Sequence, residues 1–139
     1  MKRTALVSII FLCLCNSLIS QNLLSWAPEF PIDNSTITAT VDCNKGNRGL
    51  FNFEGGNSNN VYVHVGVITN LSSGPADWKY TKFSWGVADA AAKATPLGGN
   101  KYSYTITNIR SFFGVPAGET IKKVTIILEM QMATTALNR

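Results

Sequence analysis

The strongest constraint on this chain lies in Val61 to Ile68, VYVHVGVI, where the side chains alternate with a period of two. Val61, Val63, Val65 and Val67 share one face, and Tyr62, His64, Gly66 and Ile68 share the other. A helix would scatter those valines around its axis, whereas a strand gathers them into one core stripe. β-branched residues also suit an extended backbone, so the run predicts a half-buried strand. A polar turn follows (Asn70, Ser72, Ser73, Gly74, Pro75), and then a second run carrying Trp78, Tyr80, Phe83 and Trp85. Turn residues between two such runs predict two strands joined by a loop.

The same period recurs elsewhere. Ile37, Ala39 and Val41 alternate with threonines across 35–41, Tyr102, Tyr104 and Ile106 share a face, and Thr120 to Leu128 (TIKKVTIIL) is the last clear strand. Asp42–Arg48, Glu54–Asn60 and Leu97–Lys101 are turns by composition. Asn108 is placed to cap a short helix over 108–113, with Ile109, Phe112 and Phe113 at i, i+3 and i+4. Val87 to Ala94 is too short and weakly patterned for a stable helix and reads as a loop with one helical turn. Short strands separated by turns, with a single short helix, predict an all-β sandwich.

A chain of 139 residues suits one domain. Residues 1–20 have the pattern of a secretory signal peptide: Lys2 and Arg3, an apolar run from Ala5 to Cys15, then small residues before Gln21. The apolar run is shorter than the roughly 20 residues a membrane-spanning helix needs. Its removal takes two of the three cysteines and two of the twelve basic residues, leaving ten basic against eight acidic residues, a net +2. Cys43 then has no internal disulfide partner. The remaining Lys and Arg are scattered, with only Lys122 and Lys123 adjacent, which argues against a nucleic-acid surface. Export without a membrane partner after cleavage is the expectation. Residues 21–34 carry Pro28 and Pro31 without lasting periodicity and read as a lead-in, with Trp26 and Phe30 resting on the domain.

Several segments together resemble a known family: Val41 to Leu50 (VDCNKGNRGL), VYVHVGVITN, DWKY, and LGGNKYSYTITNIRSFFGVPAGETIKKV. Across Trp26 to Ile127 the chain is similar to the N-terminal accessory module of secreted α-amylase-family glycoside hydrolases. The resemblance implies an immunoglobulin-like fold, export, and a catalytic domain of the parent enzyme as a partner; the catalytic barrel is absent, so no catalytic residue carries over. After Ile127 the chain departs from the family pattern. Were Ile127 onward encoded as ATT TTA GAA ATG CAG ATG GC, reading one base earlier would give Phe-Arg-Asn-Ala-Asp-Gly, the continuation the family is expected to have. The resulting division is a signal peptide at 1–20, a lead-in at 21–34, a β-sandwich module at 35–127 incomplete at its C-terminus, and a frameshifted tail at 128–139. An open edge bearing Ile126 and Ile127 would favour aggregation.

Sugar-binding sites need exposed aromatic faces, because the C–H face of a pyranose packs on an indole or phenol while polar neighbours bond the hydroxyls. Trp78, Tyr80 and Trp85, with Asp77, Lys79 and Lys82 around them, are the candidates for α-glucan. The competing reading is core packing, since large aromatics are often buried in small sandwiches. In regular alternation Trp78 and Tyr80 share a face and Trp85 lies on the other, unless a bulge intervenes. His64, the one histidine, lacks a nearby Cys or carboxylate cluster and reads as a surface or hydrogen-bonded strand residue. Asp33, Asp42, Glu54, Asp77, Asp89 and Glu119 are isolated loop carboxylates without the pairing that glycoside hydrolysis requires. Gly55-Gly56 and Gly98-Gly99 are turn glycines, lacking the Lys-Ser/Thr and helix of a phosphate loop. Arg110 reads as structural, paired with a carboxylate or stacked on an aromatic ring. The functional expectation is a non-catalytic accessory module without metal or cofactor that binds α-glucan; the alternative is a structural spacer or docking module that binds no sugar.

Overall fold

The computed structural model describes residues 22–131. Two antiparallel sheets face each other. In the first, β1 (Leu24–Ala27), β2 (Ile37–Asp42), β6 (Lys101–Ile106) and β5 (Thr95–Gly98) lie side by side in that order. In the second, β3 (Val61–Thr69) lies between β4 (Lys79–Lys82) and β7 (Ile121–Met130). A five-residue helix, α1 (Ile109–Phe113), connects β6 to β7. The molecule is the all-β sandwich that the alternation predicts. No helix among the described residues is long and apolar enough to cross a membrane.

The core lies between the sheets. Val61, Val63, Val65 and Val67 are fully buried, and Ile37, Ala39, Tyr102 and Ile106 face them from the opposite sheet. Each buried aliphatic side chain contributes roughly 1.5–3 kcal/mol relative to exposure. The register pairs Val67 with Val124, Val65 with Ile126 and Val63 with Leu128, continuing the apolar row onto β7. Thr38 and Thr105 sit opposite each other on the outward face of the first sheet, their hydroxyls 3.0 Å apart.

α1 starts and stops where its end residues dictate. Asn108 accepts a hydrogen bond from Ser111 N–H at 3.2 Å, and Gly114 ends the helix in the left-handed region at φ 73°. Arg110 pairs with Asp33 at 2.7 Å and donates to the carbonyls of Pro116 and Glu119, tying the segment before β2 to the turn before β7. A 3₁₀ turn at Ala90–Ala92 supplies the helical turn expected in the alanine-rich stretch.

Several elements differ from the sequence expectation. The lead-in holds β1, paired to β2 from Leu24–Val41 to Ala27–Thr38, and Trp26 packs on the core. Phe30 does not rest on the domain: it is 87 % exposed, at a bend beyond the end of β1. Thr95–Gly98 forms an edge strand in place of loop and turn. β7 runs through Met130, past the module boundary drawn at Ile127. β3 is also buried on both faces, with Tyr62 at 8 % and Ile68 at 9 % exposure, because the segment after β3 folds back across its outer side. Residues 1–21 and 132–139, which include the signal peptide and most of the assigned tail, lie outside the described residues.

Candidate functional site

The outer face of β3 carries an aromatic cluster built on a glycine. Gly66 has no side chain where Trp78 and Thr81 cross the strand; a Cβ there would lie 3.1 Å from Thr81 Cγ2 and 3.3 Å from both Lys79 O and Trp78 Cε3. The notch lets the indole of Trp78 settle against the sheet and stack on His64, ring centroids 5.9 Å apart and planes inclined by 21°. Trp85 meets the same imidazole edge-on, at 5.7 Å and 77°. The three rings form one platform, with His64 as its shared member.

Trp85 is the exposed part of that platform, at 60 %. It is nevertheless held. The next residue, Gly86, donates its N–H to Glu129 at 2.8 Å, and Gln131 Nε2 donates to Gly86 O, so the end of β7 and the residue just past it clamp the turn that carries the indole. Gly86 sits at φ 75°, a conformation that disfavours any side chain. Trp78 is fixed from its own turn. Asp77 accepts from Ser73 N–H at 2.9 Å and pairs with Lys79 at 3.0 Å, and these contacts hold its carboxyl below the usual carboxylate range.

Tyr80 belongs to a different set of contacts. Its φ of 51° interrupts the alternation of β4, and its hydroxyl donates to Glu119 at 2.5 Å. Glu119 also accepts from Thr69 Oγ1 and is 6 % exposed. The Thr69 and Tyr80 donors lower its pKa, while the neighbouring carboxylate raises that of the Tyr80 hydroxyl. Phe83, at φ 66°, turns inward onto Tyr104 and Phe112. Positive φ at Tyr80 and Phe83 thus re-phases the aromatic run: Trp78 and Trp85 reach one platform, Phe83 packs against the core half-buried, and Tyr80 anchors β4.

Beside Trp85 a groove of about 630 Å³ opens along β7, lined by Leu24, Val41, Ile126 and Leu128 with Asn47 and Arg48 at its polar side. Arg48 lies over the Phe51 ring, 3.8 Å from its centroid. Cys43 also lines this groove; burial, and then the Asp42 charge, push its thiol pKa up, which disfavours the thiolate. No group of three or more His, Cys, Asp or Glu side chains that could hold a metal converges among the described residues.

The alternation of β3 placed His64 opposite the valines but gave no sign of the indoles around it. Its Nδ1 is buried without a hydrogen-bond partner among the described residues, as is the hydroxyl of Thr125. Glu129 and Gln131 fall in the segment that the sequence assigns to the tail and so are not among its candidate residues. A glycine inside a valine-rich strand is the one local signal that something crosses closely there. No protein-family model matches the chain, and no curated protein matches it.

Proposed function

We propose that this chain is a non-catalytic carbohydrate-binding β-sandwich module whose ligand is α-glucan and whose contact surface is the Trp85 indole backed by His64 and Trp78. The observation that supports this reading is a large indole, 60 % exposed, whose backbone is clamped through Gly86 to Glu129 and Gln131. A rigid exposed aromatic surface loses little conformational entropy when a flat apolar ligand face lands on it. A pyranose presents such a face, and the Asp77–Lys79 pair beside Trp78 supplies polar groups for its hydroxyls. The resemblance to α-amylase accessory modules points to the same ligand class. Tyr80 serves this reading as the anchor of β4 through Glu119.

Retention on insoluble starch tests it. The unsubstituted chain is retained, Trp85→Ala is not, Trp78→Ala is retained weakly, and Tyr80→Phe is retained like the parent, with near-ultraviolet circular dichroism confirming the fold of each. An unsubstituted chain that passes through starch, or a folded Trp85→Ala that binds as well as the parent, leaves a spacer or docking module as the function.

A further inference from the structure

β7 is the outer strand of its sheet, and among the described residues nothing pairs with its second edge. Gln131 N–H donates to Asn60 O at 2.9 Å on the β3 side. Alternation along the strand then directs the N–H and C=O groups of Val124, Ile126, Leu128 and Met130 to the open side. Such a row is a template for another strand. Ile127 and Met130 are 44 % and 42 % exposed on this strand, and the apolar groove runs along it.

Charge is divided along the same edge. Glu129, at one end, is 7 % exposed and accepts from Gly86 N–H, yet has no cationic partner among the described residues. Lys123, at the other end, is exposed and has no acidic partner among them. A buried carboxylate without a cation lacks the partner that would offset its desolvation.

We propose that a second copy of this chain occupies the edge, β7 pairing antiparallel with β7 about a two-fold axis through Ile126. A two-fold axis normal to the sheet preserves its faces, so only residues of like parity stand opposite one another. With Ile126 at the centre, Lys123 of each copy lies opposite Glu129 of the other. Val124 faces Leu128 on the inner side, Thr125 faces Ile127 on the outer side, and no like charges meet. Centring on Thr125 sets Lys123 against Ile127, and centring on Ile127 sets it against Gln131; both lose the two ion pairs. The product is a six-stranded sheet, β4-β3-β7-β7-β3-β4, in which each copy's β7 edge is used once, so the pairing at this edge closes at the dimer. Both Trp85 indoles stand on the same side of it.

Analytical ultracentrifugation of the full chain across a concentration series tests the pairing. The unsubstituted chain sediments as a dimer. Lys123→Glu, which sets two acids against each other at both symmetry-related positions, weakens the dimer by at least roughly tenfold, and adding Glu129→Lys restores it. Ile126→Cys gives an independent readout: on the two-fold axis the two Cα atoms fall within disulfide reach, about 4.4–6.8 Å, so oxidation yields a linked dimer above the level of the unsubstituted chain. Leu128→Cys, roughly 14 Å from its own counterpart in this register at about 3.4 Å per residue, does not link. A monomer at every concentration, a dimer indifferent to Lys123→Glu, or linking at residue 128 in preference to 126 overturns the proposal.

Discussion

Gly66→Ala is the sharpest probe of how the outer face is built. The added methyl group would sit 3.1 Å from Thr81 Cγ2, 3.3 Å from Lys79 O and 3.3 Å from Trp78 Cε3, three contacts inside ordinary van der Waals separation. One is a backbone carbonyl in a paired strand and one a ring already stacked on His64, so the crowding cannot be relieved by turning a flexible side chain. Forcing a methylene-sized group into such a site costs roughly 1–3 kcal/mol. Replacing glycine stiffens the unfolded chain and offsets about 0.4–1 kcal/mol of that. The net expectation is a loss of about 1–2 kcal/mol. For a domain near this size, this corresponds to a fall in Tm on the order of 5–10 °C. Thermal unfolding measures the loss, and near-ultraviolet circular dichroism reports the displacement of Trp78 from His64. Gly74→Ala is the control: nothing lies within 4 Å of its added methyl, so it is neutral or stabilising by a few tenths of a kcal/mol. A Gly66→Ala chain as stable as the parent, with an unchanged aromatic spectrum, would refute the notch.

Two further outcomes follow from the same structure. Asp42 is held at about 2, against 3.8 for the free carboxyl, chiefly by the Lys45 side chain and then by Asn44. Its folded pKa lies below its unfolded value, so its contribution is present above about pH 4 and is lost as the pH falls toward 2; Glu119, lowered by Thr69 and Tyr80, acts in the same direction. Acid titration of stability should therefore be less steep in Asp42→Asn and in Glu119→Gln, and equal steepness in parent and variants would remove this account. Val65→Ala opens a void between the sheets at a fully buried position. It costs roughly 2–3 kcal/mol in urea unfolding, between the loss of one methylene and a Leu→Ala change, and a cost below about 1 kcal/mol would contradict a packed core there.

The parts legible in the sequence are those whose cause is local. The valines of β3, the Tyr102-Tyr104-Ile106 face and the Asn108 cap declare themselves because period and capping act within a few residues. β1 was hidden because Leu24–Ala27 carries little pattern of its own; its strand geometry comes from β2, more than ten residues later in the chain. Thr95–Gly98 contains Pro96 and Gly98, residues that signal a turn until β6 is there to pair with. Strict alternation makes a bulge the condition for Trp85 to join Trp78, and the β3–β4 pairing carries such an irregularity between Lys79 and Lys82. Its position is hidden in the sequence because Tyr80 and Phe83 take positive φ without the glycine that normally advertises it. The hydroxyl of Tyr80, bound to Glu119, helps hold that conformation, and Glu119 lies 39 residues away.

The two faces of β3 are therefore specified by different physics. On the inner face what matters is apolar volume, and any set of side chains that fills the space between the sheets would serve nearly as well as four valines. On the outer face what matters is the absence of a side chain at Gly66, since only that lets Trp78 lie close enough to meet His64, and only His64 gives Trp85 a second ring to rest on. The dependence continues to the end of β7. Glu129 and Gln131 hold Gly86 and so hold the exposed indole, which means that the residues beyond Ile127, whatever their origin, are structurally joined to the surface where binding is proposed. A change at Glu129 would then act on two things at once, the pose of Trp85 within one copy and the opposition to Lys123 between copies. Lys123 touches neither Gly86 nor the aromatic rings in these contacts, so comparing substitutions at the two positions separates the proposed sugar surface from the proposed pairing edge.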